Sequence, residues 1–356
     1  MSCHVAASRR PAPGGRFDRV AARRIVAACL AAAVCQLAVG IDRIAAAAAT
    51  CPLDVWAVTT RCGGDAHEHV QRYAGNAGWQ PDDAASLFDG GARPLVVLVH
   101  GNRYGHDDAL RQVIDLARRI ATCSPSCPDP RVVVYSWPSE KEGILLGDGR
   151  LKYDRARCEA DRFATFLGRV EPWRPVGIVG YSYGALVTLG GVEAAVGRGA
   201  DAGAGRWSAR EGGVHLLLVA SAVRGDALAP RGPYHAAARA ADRIVLINNS
   251  SDRVLRFFPW IDRGFATEAL GRVGMPSRWL PAGVEFRQYD AADAVGKAHR
   301  FQLYLDAGGV ARQMCTGLLD GLAATDTTPC MTGSRAVETI GRQAAAEPAT
   351  GSEPAD

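Results

Sequence analysis

Residues 176–184 read Val176-Gly177-Ile178-Val179-Gly180-Tyr181-Ser182-Tyr183-Gly184, and the stretch after them, 185–196, is largely apolar. An apolar strand, a serine bracketed by glycines and an apolar helix make the strand–turn–helix setting in which a G-x-S-x-G elbow functions. The chemistry accounts for the glycines. A sharp turn lifts the serine hydroxyl clear of the sheet and holds its backbone in a strained conformation. Small residues two positions to either side let strand and helix approach closely. The start of the helix also turns backbone N–H groups towards a developing oxyanion. In a chain with 40 glycines the bare pattern arises readily by chance. Its setting makes it specific.

Outward from the elbow, strand and helix patterns alternate. On the N-terminal side, Leu95–Val99 is a continuous apolar run, the mark of a strand buried on both faces. Behind Asp107 and Asp108, the residues Leu110, Val113, Ile114, Ala117, Ile120 and Ala121 recur at helical spacing. Val132–Tyr135 predicts a further strand, followed by a loop over 137–152 and a helix over about 154–170. Leu53–Thr59 predicts a first strand, and 61–92 reads as loop with one short helix around 64–73. On the C-terminal side, Val214–Ala220, Ile244–Ile247 and Val284–Tyr289 predict strands, with helices over 234–241, near 263–272 and over 299–322. Repeated β-α units with apolar strands imply an α/β fold, a mostly parallel central sheet flanked by helices on both faces. About twenty residues separate Ala220 from Ile244, room for one helix and not for a cap domain. In 253–281 the residues Phe257, Phe258, Pro259, Trp260 and Trp279 are expected mostly in the interior, the alternative being an exposed apolar wall.

Composition sets the outer bounds. With 356 residues, 48% hydrophobic and 22% charged, the chain can bury a large core and is not disordered throughout. It lacks the repeated long apolar runs of a polytopic transporter. The net charge of +4 is concentrated at one end: residues 1–50 hold seven arginines against Asp18 and Asp42, leaving the rest at −1. A nearly neutral body excludes a general nucleic-acid binder. Arginines up to Arg24, the apolar run Ile25–Ile41 and the alanines 45–49 follow the order of a secretory signal. Residues 1–50 are therefore expected to be a signal peptide or a membrane anchor, 51–325 the folded domain and 326–356 a disordered tail. The expected location is periplasmic or extracellular, with membrane anchoring as the alternative. Of ten cysteines, seven lie beyond residue 50. Export makes disulfides the natural expectation, with Cys123–Cys127 and Cys315–Cys330 as candidate pairs.

A serine of this kind needs a histidine base and an acid to orient it, in the chain order serine, acid, histidine. Only His215, His235 and His299 follow Ser182. His215 falls in a predicted buried strand and His235 in an alanine-rich helix, whereas His299 follows the last strand, where the base belongs. Asp252 follows the strand Ile244–Ile247 and can reach the crevice at the carboxyl edge. Asp226 is its substitute, and Asp290 and Asp293 lie too near the His299 segment to be preferred. His100-Gly101-Asn102-Arg103, directly after the buried strand Leu95–Val99, supplies the other half of an oxyanion hole. The Asn102 and Tyr183 N–H groups are the assigned donors. His100 is read as bracing its loop.

These features resemble the α/β-hydrolase superfamily over about residues 51–325. More narrowly they resemble an uncharacterised bacterial serine-hydrolase family, through the HGN loop, the segment Ser136-Trp137-Pro138-Ser139 and Tyr153-Asp154 opening the next helix. The departure is Tyr181-Ser182-Tyr183, where many relatives have His-Ser-Met. The resemblance implies an α/β-hydrolase fold and a Ser-His-Asp hydrolase, with no metal or organic cofactor. The expected activity is esterase- or lipase-like cleavage of a small-molecule or lipid-like carboxyl ester. An acyltransferase with the same triad and a non-catalytic binding protein on this scaffold are the alternatives.

Overall fold

The structure is a computed structural model. It describes residues 53–322 apart from 64–68, 90, 92, 124–128, 199–206, 208–209 and 263–266. The apolar runs of the sequence pair with one another. Strands β1 (Val55–Thr59), β5 (Arg131–Ser136), β4 (Leu95–Val99), β6 (Val176–Tyr181), β7 (Val214–Val219), β8 (Arg243–Asn248) and β9 (Glu285–Asp290) lie side by side in that order, all parallel. Every residue of β4 to β8 is buried. Such strands have helices over both faces, which is why they read as unbroken apolar runs and not as alternations.

The covering helices divide between the two faces. α2 (His106–Cys123) packs against β5 and against α9 (Gly308–Leu319), which also lies on β7 and β8. α3 (Leu145–Leu167) packs on α4 (Tyr183–Gly197), which lies on β4 and β6 and touches α5 (His235–Arg239). From β4 the chain passes outward to β5, then returns past β4 to β6. The connections leaving β4 and β6 thus run to opposite faces and open a crevice at the carboxyl ends of these neighbours, the topological switch point. Register pairs Val99 with Gly180. The residues after each strand, His100-Gly101-Asn102 and Tyr181-Ser182, therefore emerge side by side. The sheet order, the buried parallel strands and the elbow after β6 give the α/β-hydrolase arrangement, with one short helix and no cap domain between β7 and β8.

Several local expectations are corrected. The stretch 61–92, read as loop, contributes β2 (Val70–Tyr73) and β3 (Trp79–Asp82), an antiparallel hairpin that extends the sheet to nine strands, and the helix α1 (Ala84–Phe88). These edge strands are short and half-exposed, so they carry no apolar run. Their turn uses Gly75 and Gly78 at positive φ. The loop expected over 137–152 ends early, because α3 already begins at Leu145. Gly147 and Gly149 lower helix propensity there, and tertiary contacts override it. In the segment 253–281, a 3₁₀ turn Leu255–Trp260 and the helix α6 (Leu270–Val273) are present. The C-terminal helix is broken in two, α8 (Phe301–Asp306) and α9, preceded by α7 (Ala292–Val295).

The disulfide expectation finds no support among the described residues. Cys62, Cys123, Cys158 and Cys315 are free thiols. The expected partners Cys127 and Cys330 lie outside the described residues. Cys315 instead faces Cys123 across the α2–α9 contact, and burial followed by that neighbour raises its thiol pKa. Among the described residues no helix is long and apolar enough to cross a membrane. The expectations for residues 1–50 and 326–356 fall outside the described residues.

Candidate active site

The elbow brings strand and helix into contact that only glycine permits. A Cβ on Gly184 would stand 1.9 Å from the Val99 carbonyl oxygen, and one on Gly180 would stand 2.8 Å from Ala185 Cα. Between them Ser182 takes φ 53° and ψ −119°, a left-handed conformation that a non-glycine residue adopts at a cost. The sheet holds it there. Ser182 N–H donates to Val219 O at 3.0 Å, and Ser182 O accepts from Ala222 N–H at 3.1 Å.

Three side chains from separate parts of the chain meet above β6 and β8. Ser182 Oγ lies 2.8 Å from His299 Nε2, and His299 Nδ1 lies 2.7 Å from Asp252 Oδ2. A carboxylate can only accept, so the shared proton sits on Nδ1 and the Nε2 lone pair faces the serine hydroxyl. The second Asp252 oxygen accepts the N–H groups of Val254 and Leu255 at 2.8 and 3.0 Å, which fixes the carboxylate. Its side chain is fully buried. Ser182 is 5% exposed.

Tyr181 packs beneath this array. Its ring stacks on His299 at 5.3 Å and meets Phe301 at 5.1 Å. Burial, then the neighbouring Tyr104, drives its phenol far above the ordinary value, so it stays neutral beside the imidazole. Tyr183 is also buried, with its hydroxyl on Gly149 O at 3.1 Å and its ring against Tyr153. Neither tyrosine presents a broad aromatic surface at the serine.

The HGN loop lies directly over the elbow. A Cβ on Gly101 would meet Tyr181 Cε1 at 2.9 Å and Ser182 Cβ at 3.0 Å. Among the described residues, neither Asn102 N–H nor Tyr183 N–H donates to a protein acceptor outside its own element. Tyr183 opens α4, whose first N–H groups have no intrahelical acceptor.

His100 points away from the serine and braces the loop. Its Nδ1 donates to Gly101 O at 2.9 Å, and its Nε2 accepts from Trp137 N–H at 3.2 Å, with an Arg61 Nη2 at 3.3 Å. Burial, then the Arg61 charge, pulls its pKa down to about 3, so the imidazole is neutral.

The other candidates have structural partners. His215 Nδ1 is bound to Leu318 O at 2.8 Å, and His235 lies 3.3 Å from Leu228 O. Asp226 pairs with Arg224, and Asp290 accepts the N–H groups of Ser250 and Ala292.

Sequence reasoning missed the support behind the HGN loop. Arg103 sits at φ 66°, held by its N–H to Ser139 O at 2.7 Å and by its Nε on Asp148 Oδ2 at 3.0 Å. Asp148 also accepts the N–H groups of Glu142 and Gly143. Burial opposes ionisation of Asp148, yet these N–H groups and Arg103 hold its pKa below the usual range. Ser139 Oγ reaches Gly101 O at 3.0 Å, and Trp137 Nε1 donates to His100 O at 2.8 Å. The segment Ser136-Trp137-Pro138-Ser139 is thus the backing of the HGN loop. No periodicity marks such contacts.

No protein-family model and no curated protein sequence matches the chain. Among solved structures, the chain is similar to an inhibited form of esterase B from Lactobacillus rhamnosis, at 14% identity over 83% of this chain and 96% of the other, with a TM-score of 0.36. A second structure of esterase B from Lactobacillus rhamnosis covers 80% and 96% at 14% identity, with a TM-score of 0.32. An acetyl ester-xyloside bifunctional hydrolase from Caldicellulosiruptor lactoaceticus covers 63% and 83% at 14% identity, with a TM-score of 0.28. The fold rests on the sheet order and the elbow, not on these likenesses.

Proposed function

We propose that this chain is an exported serine hydrolase that cleaves carboxyl esters through an acyl-enzyme. The observation that carries the reading is the continuous hydrogen-bond chain Ser182 Oγ–His299 Nε2 and His299 Nδ1–Asp252 Oδ2, at 2.8 and 2.7 Å. In the proposed reaction His299 takes the Ser182 proton as the oxygen attacks the ester carbonyl. Asp252 holds the productive tautomer and stabilises the imidazolium. The Asn102 and Tyr183 N–H groups are the proposed donors to the tetrahedral oxyanion. His299 then protonates the leaving alcohol, the acyl group stays on Ser182, and a water deprotonated by His299 releases it. The basic start, apolar middle and small-residue end of segment 1–50 support export.

The test is labelling of the full chain by a fluorophosphonate, together with turnover of p-nitrophenyl acetate. Both are expected in the wild type and absent in Ser182→Ala. A folded wild type that neither labels nor turns over overturns the reading and favours a binding role for the scaffold.

A further inference from the structure

The turn that follows Asp252 carries an apolar row that the reaction does not use. Val254 has helical backbone angles and leads into the 3₁₀ turn Leu255–Trp260. At three residues per turn, positions i and i+3 eclipse. Three rows result. Leu255 and Phe258 are buried and, with Ile261, pack on the core. Val254, Phe257 and Trp260 face outward, with Phe257 44% and Trp260 57% exposed and their rings 5.2 Å apart. Arg253 and Arg256 form the third row and are exposed.

The first turns of α3 hold the row in place. Arg150 Nε and Nη2 donate to Trp260 O at 3.1 and 2.9 Å, and Ile144 and Leu151 at the start of that helix are exposed as well. Among the described residues, seven large hydrophobic side chains are exposed, and five of them lie on these two segments. Val254, Phe257 and Trp260 therefore form one contiguous row and are not scattered surface residues. The row adjoins the site. Asp252 accepts the Val254 N–H, Phe258 meets Tyr153, and Tyr153 meets Tyr183 next to the serine.

Exposed cations border the row. Arg253 N–H donates to Lys297 O, which joins the turn to the segment carrying His299. Lys297 and Arg300 are exposed, and among the described residues Arg253, Arg256, Lys297 and Arg300 form no ion pair. Apolar side chains bordered by exposed cations match a surface that offers acyl chains behind anionic headgroups. A second copy of the chain is disfavoured, because a two-fold interface centred on the row would bring Arg253 and Arg256 of both copies together.

We propose that the Val254–Phe257–Trp260 row docks on the surface of an anionic lipid aggregate and presents its esters to Ser182. This rests on the hydrolase reading for the ester, but not for the docking. Lipid esters of the aggregate are thereby the substrate class, and a monomeric ester needs no contact with the row.

The test uses full-length Ser182→Ala protein, so that the lipid stays intact, with vesicles of phosphatidylglycerol brominated on the acyl chains. Since the apolar segment 25–41 is present, vesicle binding as such is not the readout. The readout is bromine quenching of Trp260. Quenching that Trp260→Phe removes, and that Arg253→Gln with Arg256→Gln shifts to about thirtyfold higher lipid, is the expected result. Quenching unchanged in Trp260→Phe overturns the proposal, as does equal quenching by brominated phosphatidylcholine. A lipid-free dimer that Phe257→Ser with Trp260→Ser dissociates also overturns it, by making a second copy the occupant. The hydrolase reading fails separately, by loss of p-nitrophenyl acetate turnover in the wild type, a substrate on which Phe257→Ser and Trp260→Ser leave the rate unchanged.

Discussion

At the scale of single residues, roles follow from which atoms can donate. Asp252 accepts two backbone N–H groups and the His299 Nδ1 proton, and an amide in its place would offer that proton a competing N–H. Asp252→Asn is therefore expected to lower kcat by about 10⁴ with little change in KM, measured by steady-state ester hydrolysis. His100 is the other informative residue. It is buried and neutral with its pKa near 3, whereas an unfolded histidine titrates near 6.5. Between these values the unfolded chain binds the extra proton, so stability is full above the upper value and falls as pH drops towards the lower one. A loss of roughly 5 kcal/mol across that window follows from the shift. Urea unfolding at pH 7 and pH 4 is expected to show a steeper loss for the wild type than for His100→Gln.

At the scale of elements, glycines in helices have opposite meanings. Gly184→Ala would push a methyl group into the Val99 carbonyl at the close approach of α4 and β4. It is expected to cost at least about 3 kcal/mol and to abolish activity. Gly147 lies in the first turn of α3 with nothing within 4 Å of an added Cβ. Gly147→Ala is expected to raise stability by about 0.5–1 kcal/mol, read from the urea midpoint. The two glycines look alike as letters in a chain rich in glycine. Packing alone separates them. The same limit hid β2 and β3, whose pairing at the sheet edge leaves alternate side chains in water, and the early start of α3, where two glycines mask a helix.

For the whole molecule, the two ends of the parallel sheet have different tasks. The carboxyl edge holds Ser182, Asp252, His299 and the HGN loop, and the opposite edge is braced by the buried Asp54–Arg131 ion pair. There Asp54 binds Arg131 Nε at 2.8 Å and Trp56 Nε1 at 2.7 Å, with Arg93 and Arg72 nearby. Burial opposes its charge, but these partners hold the Asp54 pKa below the usual carboxylate range. Its contribution is therefore present above the unfolded value and lost as pH falls through the folded one. Asp54→Asn leaves Arg131 without its counter-charge and is expected to cost about 3 kcal/mol. Because the substitution lies at the far edge, kcat/KM on a soluble ester is expected to stay within twofold of the wild type at 25 °C. Thermal unfolding and ester turnover on one preparation check both halves.

Local sequence determined the parallel core, because strands buried on both faces must be apolar throughout, and it determined the elbow, because only glycine fits where β6 turns into α4. It also singled out Ser182, Asp252 and His299 by chain order and position after strands. Tertiary structure alone decided that these three side chains stand within hydrogen-bond reach, since 47 and 117 residues separate His299 from its two partners. It alone decided that the thiols of Cys123 and Cys315 face each other, that Asp148 holds Arg103 behind the HGN loop, and that Phe257 and Trp260 turn outward while Phe258 turns in. Those outcomes depend on which distant surfaces meet. Spacing along the chain encodes a residue's side of its own element, but not what the fold brings against that side.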